Sequence, residues 1–582
     1  MSKSRNRLQN SAVNLMLTAF LLAAFACVYT PVALAAGSTP VAGSVHDSTG
    51  RPLGGVSVML TNRKLARQTT VFTASDGTFE APGLPAGTYD LRVRRPGYQG
   101  IEQLETKFNG KPLALTIAVE TDPNELAWQL PANRWTPLML AKLSSDEKRE
   151  EFVRQCGYCH QQGNWATRVR RSKEDWENIF NRMERLGGVV SPALRAELPA
   201  AFNAGYDDNT SVAALTQPEF VPPPAPEGKV AKAVITEWAV GDPISMLHDI
   251  AVEHDGSIWA VDTNADRLLR LDPKTNQRKE YPIPTGKSEV GGIFHNSGFL
   301  QMPNAIAKVA PHSLQVAEDG TIWVTLCLGN KVGHLDPATG KWKIYEQKAP
   351  GVYPHTVRID KKGRVWYTNA VSNHISMIDP KTDEMRVFTL PFPETKPSAN
   401  TPKAVIGEGG SSPVPYGIDI APDGAVWFSQ LNAKRIGRLD PDTGEVKIVD
   451  TPFAGPRRLR FDSKGNLWIP GFSSNLIARY NLTTGEFKTW PMPTGGVDTP
   501  YALNVDRKTD TVWICGTASD TLVSFDPATE RFTIYPLPTR VTYTREIDFG
   551  PDGAIWTSNS NFPGWHIGAA IPSVIRLQLP PS

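Results

Sequence analysis

Cys156-Gly157-Tyr158-Cys159-His160 places two thiols and an imidazole within five adjacent positions. Thiols at this spacing can form thioethers to the two vinyl groups of a haem, and the adjacent His can then ligate its iron. The same residues could be half of a zinc site, but that requires two more Cys or His ligands close by. The next candidates are His248 and Cys327, and neither is near enough in sequence to complete the set. A Cys156–Cys159 disulfide would leave His160 without a role, so haem c attachment is the reading that uses all three side chains. For the sixth iron position the chain offers Met183, whose thioether would raise the potential. Met183 shares a helical face with Trp176 and Ile179, so a plain core role competes. Met139 is a weaker second candidate.

A second set of side chains becomes comparable because the chain repeats itself from about residue 230. Trp259, Trp323, Trp366, Trp427, Trp468, Trp513 and Trp556 mark seven copies, and most are followed by an Asp-Pro turn such as Leu271-Asp-Pro or Phe525-Asp-Pro. Eleven residues before each Trp stand His248, His312, His355, Tyr416, Arg457, Ala502 and Arg545. Equivalent positions of a closed ring converge near its axis. His248, His312, His355, Arg457 and Arg545 are therefore expected at one mouth, where cations and neutral imidazoles could hold an anionic or carbonyl-bearing ligand. Imidazoles suit Zn, Cu or Fe better than Mg²⁺, so a divalent metal at the mouth is a second candidate cofactor. The competing reading is that these are ordinary strand-end residues.

The elements that must carry these groups fall into blocks. Residues 1–36 read as a secretory signal, with Lys3, Arg5 and Arg7 before an apolar run and Ala33-Leu34-Ala35 as the cleavage site. This predicts a periplasmic protein, where haem c is attached. Removing the three basic residues from 61 leaves 58 against 59 acidic ones, a balance that argues against nucleic acid or an anionic membrane as partner. No later stretch is long and apolar enough to span a membrane. Residues 37–120 alternate apolar and polar positions between Gly and Pro turns, as in a small β-sandwich. Residues 121–212 turn helical, with Ser144-x-x-Glu147 and Ser172-x-x-Asp175 as capping boxes. A Pro-rich linker at 213–229 suggests a semi-rigid hinge. Residues 230–582 then contain four short strands per copy, the pattern of a seven-bladed β-propeller. Val230–Trp238 has no repeat of its own and should close the last blade. The expected fold class is mostly β: a propeller with an N-terminal β-sandwich and a small α-helical cytochrome c-like domain.

Asp47-Ser-Thr-Gly-Arg-Pro-Leu-Gly-Gly-Val-Ser-Val, Ser75-Asp-Gly-Thr-Phe and Gly83-Leu-Pro-Ala-Gly-Thr-Tyr resemble the carboxypeptidase regulatory-like domain, which implies a non-catalytic module. The order helix, C-x-x-C-H, helix, helix resembles a minimal cytochrome c and the haem domains of quinohaemoproteins. Pro-His-x-x-Val/Leu, Asp-Gly-x-Ile/Val-Trp, Ile436-Gly-Arg-Leu-Asp and the Tyr281-Pro-Ile-Pro and Tyr535-Pro-Leu-Pro repeat ends resemble the streptogramin B (virginiamycin B) lyases. That resemblance implies a propeller and a carbon–oxygen lyase acting on a cyclic depsipeptide through Mg²⁺ and a late-blade His. Arg545 and Asn559 stand where the family has its His and Glu, so the lyase constellation is not reproduced.

The favoured expectation is therefore an exported haem-linked oxidoreductase or electron-transfer protein. Its propeller would bind a periplasmic redox partner or a small-molecule substrate. A streptogramin lyase-like enzyme with an accessory haem domain is the runner-up, and a non-enzymatic binding scaffold the third reading. The loops Lys287–Ala310, with His295, and Glu394–Pro413, with a Gly-rich turn from Gly407, are expected to overhang the mouth.

Overall fold

The computed structural model describes residues 39–108, 111–296, 306–392, 413–560 and 571–580. The expected signal at 1–36, residues 297–305 of the first loop expected over the mouth, and all of the second but Pro413 lie outside these residues.

The first block is a sandwich of β1 (Thr39–Asp47), β2 (Ser57–Asn62), β3 (Arg67–Phe72), β4 (Thr78–Leu84), β5 (Thr88–Arg94), β6 (Ile101–Lys107) and β7 (Leu113–Ile117). One sheet has the order β4-β1-β7, and the other contains β3-β2-β5-β6. Alternation along β5, with Tyr89, Leu91 and Val93 inward, supplies much of the core between the two layers.

Six helices follow: α1 (Pro123–Trp128), α2 (Ala132–Leu140), α3 (Asp146–Cys156), α4 (Lys173–Arg185), α5 (Pro192–Gly205) and α6 (Asp208–Thr216). The last runs beyond the boundary expected at 212. The Ser172 cap forms as expected, its Oγ accepting from the Asp175 N–H at 3.0 Å. The Ser144 cap does not. Ser145 caps α3 instead, because Ser144 is drawn to Glu197 on α5, donating from Oγ at 2.8 Å alongside the Lys148–Glu197 ion pair. Trp176 stacks on Phe202 with ring centroids 4.4 Å apart, joining α4 to α5. Gly205 lets α5 cross α2 closely, since a Cβ there would lie 2.4 Å from the Met139 Cα. Met139 is thereby sealed in this core.

Six four-stranded antiparallel sheets follow, at residues 247–282, 311–346, 354–389, 415–450, 460–491 and 500–536. A further set is made by Asp548–Phe549, Ile555–Ser558, Ser573–Gln578 and β8 (Val234–Ala239). So β8 does complete the last sheet. Its other edge pairs antiparallel with β3, from Arg67 opposite Trp238 to Thr70 opposite Ile235. One eight-stranded sheet therefore runs from the propeller domain into the sandwich. The Pro-rich segment, expected as a hinge between the helical block and the propeller, packs directly on the sandwich: a Cβ on Gly55 would lie 2.7 Å from the Ala225 Cβ.

The repeat marks have local causes. The indole N–H of Trp259, Trp366 and Trp468 donates to the carboxylate six residues earlier, Glu253, Asp360 and Asp462, at 2.9–3.0 Å. Seven residues after each of the first six Trp the backbone turns left-handed, at Asp266, Asn330, Asn373, Lys434, Asn475 and Asp520. Asn and Asp accept that conformation at little cost. Among the described residues no helix is long and apolar enough to cross a membrane.

Candidate functional site

The innermost strands open in the same way. Pro311, Pro354, Pro415 and Pro500 each pair with the partner strand, and the register then slips before pairing resumes at Leu314, Val357, Ile418 and Leu503. Such a bulge re-aims the side chain that follows the Pro. That side chain is His312, His355, Tyr416 and Tyr501. In the fifth sheet Pro456 bridges Gly471, and the next residue is Arg457. Counting from Trp assigned Ala502 to the sixth repeat, and the structure corrects this to Tyr501. The strand Pro500–Asp506 holds one residue more than its equivalents, which shifts the count by one. Aligning on Pro rather than Trp would have found it.

The expected residues meet. His248 and His312 have ring centroids 3.7 Å apart, His312 and His355 4.0 Å, and His355 and Tyr416 4.2 Å. The Tyr416 and Tyr501 hydroxyls share a hydrogen bond, and the Tyr501 hydroxyl lies 3.2 Å from His248 Nε2. His248 Nδ1 faces Asp249 Oδ1 at 2.7 Å. These hydrogen bonds link Asp249, His248, Tyr501 and Tyr416 in a chain that no single repeat contains. Arg457 lies over the Tyr501 ring at 3.4 Å from its centroid and gives Nη2 to the Tyr416 hydroxyl at 2.7 Å.

Beneath this layer lies an ion network that the sequence reading did not identify. Arg458 Nη1 reaches Asp249 Oδ1 at 2.8 Å and Glu546 Oε2 at 2.6 Å, and Arg460 Nη2 reaches the same Glu546 oxygen at 3.0 Å. All are buried. Burial, with the nearby Arg458 and Arg545, holds His248 and His312 well below the ordinary histidine range, and burial with Arg458 does the same at His355. The three imidazoles are therefore neutral. They overlap ring on ring, tilted by 41–42°, rather than converging on one point. Among the described residues no group of three His, Cys, Asp or Glu is arranged to hold a metal ion.

The thiol motif lies at the same place. α3 ends at Cys156, and Gly157 is needed next because a Cβ would lie 2.6 Å from the Val153 carbonyl oxygen. Three successive carbonyls are then taken by mouth residues. Tyr543 Oη donates to the Gly157 carbonyl at 2.6 Å, Arg457 Nη2 to Tyr158 at 3.2 Å and Arg545 Nη2 to Cys159 at 2.9 Å. Gln161 Nε2 continues the seam to the Thr517 carbonyl and Asp520 Oδ1, both at 2.7 Å. At the far end Asn133 of α2 accepts from the Val497 N–H and donates to the Ala518 carbonyl, each at 2.9 Å. Sites that the sequence places some 90 to 390 positions apart are one site.

Cys156 and Cys159 are free thiols, as are Cys327 and Cys515. Burial pushes the Cys156 thiol up to about 12 and raises Cys159. Burial also lowers His160, keeping its imidazole neutral and able to ligate. Met183 is half-buried near the end of α4, its carbonyl accepting from the Gly188 N–H at 2.8 Å.

Residues 404–564 match the Virginiamycin B lyase family, and residues 40–120 match the carboxypeptidase regulatory-like domain. No curated protein matches the chain. Among solved structures, a streptogramin B lyase is 21% identical, over 60% of this chain and 98% of its own, with a TM-score of 0.48. The virginiamycin B lyase of Staphylococcus aureus is 19% identical, over 60% of this chain and 100% of its own, also at 0.48. Hydrazine synthase of Kuenenia stuttgartiensis is 14% identical, over 58% of this chain and 97% of its own, at 0.42. The chain is thus mostly β, with a virginiamycin B lyase-like propeller domain and a carboxypeptidase regulatory-like domain.

Proposed function

We propose that this chain is an exported, periplasmic c-type haem protein, and that its propeller, counted as seven blades, presents the haem-attachment segment to a substrate or redox partner. The observation that carries the reading is the hold of Tyr543, Arg457 and Arg545 on the carbonyls of Gly157, Tyr158 and Cys159. The donor set fits the group. Two free thiols flank the end of α3, and the adjacent imidazole is kept neutral by burial. Cys156 and Cys159 would form the thioethers, His160 would ligate the iron, and Met183 is the candidate for the sixth position. Haem bound here would supply a one-electron couple.

The chain's own residues do the rest. Arg457 and Arg545 hold the attachment segment and place two cations beside it. Tyr501, between His248 Nε2 and the Tyr416 hydroxyl, can pass a proton along Asp249–His248–Tyr501–Tyr416 without any of these groups meeting bulk water. Mature protein produced with haem-maturation factors should show reducible haem absorbance that stays with the chain after denaturation. Replacing both Cys156 and Cys159 by Ala should abolish it. Wild-type protein without covalent haem defeats the proposal.

The match over 404–564 favours a second reading, a carbon–oxygen lyase acting on a cyclic depsipeptide. It predicts metal-dependent ring opening in the absence of any oxidant, lost on replacing His312 or His355. Arg545 and Asn559 at the positions of the family's His and Glu weigh against it.

A further inference from the structure

A cavity of about 780 Å³ opens where the sandwich, the first helices, the Pro-rich segment and the sixth sheet meet. Its walls are largely apolar, with Phe72, Phe220, Ile534 and Leu537 beside the prolines at 222–224. Three arginines line it: Arg94 at the end of β5, Arg95 beside it and 5.3 Å from the Tyr98 ring centroid, and Arg540 after the sixth sheet. Arg540 gives Nη1 to the Trp128 carbonyl at 2.9 Å and Nη2 to the Leu130 carbonyl at 2.7 Å. Neutral carbonyls fix its direction and leave its charge uncompensated. No ion pair or side-chain hydrogen bond holds the Arg94 guanidinium among the described residues. The carboxylate nearest to hand, Asp520, already accepts from Gln161 Nε2 and from the N–H and hydroxyl of Thr542.

The lining arginines outnumber the one lining carboxylate, Asp520, so the largely apolar walls carry net positive charge that they solvate poorly. Burial pulls Arg94 down to about 10, and the charges of Arg92 and Arg540 push the same way against the weaker pull of Glu102 and Glu237. Burial lowers Arg540 as well, with Asp520 opposing. An anion between the guanidiniums would relieve both, through charge-assisted hydrogen bonds in a water-poor site. The volume is that of a small-molecule pocket, and its walls offer aromatic and proline faces to an apolar body.

We propose that this cavity binds a small amphipathic organic anion, an aromatic carboxylate or sulfonate, with the charged head at Arg94 and Arg540 and the rings against Phe72, Phe220 and the prolines. The site is independent of the haem reading, and it lies on surface that all three folded blocks build together.

The test uses the full chain and two fluorescent probes, anionic 8-anilinonaphthalene-1-sulfonate and its neutral counterpart N-phenyl-1-naphthylamine. The expected result is one saturable site for the anion and binding roughly tenfold weaker for the neutral probe, the size of one charge-assisted contact. Arg94→Ala should weaken the anion by a similar factor and leave the neutral probe unchanged. Arg540→Ala also releases two backbone carbonyls and can unfold the seam, so Arg94→Ala and Arg94→Gln, each with an unaltered urea midpoint, are the deciding variants. Equal binding of the two probes to the wild type, or anion binding untouched in both Arg94 variants, overturns the proposal.

Discussion

Arg545 donates from Nη2 to the carbonyl of Cys159 at 2.9 Å, so the last sheet of the propeller domain holds the backbone of the thiol motif directly. The contact joins two features that sequence treats as unrelated, a repeat position and a thiol motif 386 residues away.

Tyr543→Phe removes the donor to the Gly157 carbonyl and little else. The expected loss is about 1 kcal/mol of stability, the net worth of one buried hydrogen bond. Hydrogen exchange should locate it, with faster exchange in peptides spanning 156–163 and unchanged rates in the sandwich. Uniform rates across the chain would mean that this contact does not seat the motif.

Asp249→Asn is expected to cost roughly 3–5 kcal/mol, because it removes one partner of a fully buried charge network and leaves Arg458 with Glu546 alone. Urea unfolding followed by tryptophan fluorescence reads this directly. A change below about 1 kcal/mol, the scale of an exposed pair, would show that the network is not stabilising.

Glu237 gives the seam between β3 and β8 a pH dependence. Burial raises its carboxyl from 4.5 to about 7, against the hydrogen bonds from Thr539 and Gln68 and the charge of Arg94. A raised acid holds its proton more tightly in the folded chain than in the unfolded one. Its contribution is therefore complete below about 4.5 and is lost as the pH climbs through about 7. Asp548, raised to about 6, acts in the same direction. The midpoint of the wild type relative to that of Glu237→Gln should fall as the pH rises from 5 to 8, the buried imidazoles of His248, His312 and His355 acting alike in both proteins. Parallel profiles for the two proteins would rule out the assignment.

Gly205→Ala forces a methyl group against the Met139 backbone where α5 crosses α2. Overpacking of this kind costs typically 1–3 kcal/mol. The midpoint of the helical block should fall, and covalent haem yield should fall with it if α2 and α5 scaffold the motif. Gly485, whose added Cβ would come no nearer than 3.9 Å to the Tyr480 hydroxyl, lies in a turn of the fifth sheet, between the strands Leu476–Tyr480 and Phe487–Pro491. Its replacement by Ala should leave haem yield unaffected, although its φ of +74° adds local strain.

The sequence by itself determined the order of the blocks, the propeller repeats and the residues of the thiol motif. These are written locally: in period-two alternation, in Asp and Asn at left-handed turns, in carboxylates six residues before Trp, and in five consecutive side chains. It also placed His248, His312, His355, Arg457 and Arg545 on one mouth, because ring closure brings equivalent positions together. Tertiary structure alone decided three things. One extra residue in the sixth repeat moved the ring position from Ala502 to Tyr501, because the paired registers make Pro500 and not Trp513 the mark to count from. Pairing of β3 with β8 joined the sandwich to the propeller domain in one continuous sheet, since an edge strand's unpaired N–H and C=O groups take whichever edge is nearest. The seating of Gly157, Tyr158 and Cys159 on the mouth arose from backbone carbonyls, which no residue pattern encodes. Side-chain periodicity records which face is buried, and only the folded chain fixes what that face meets.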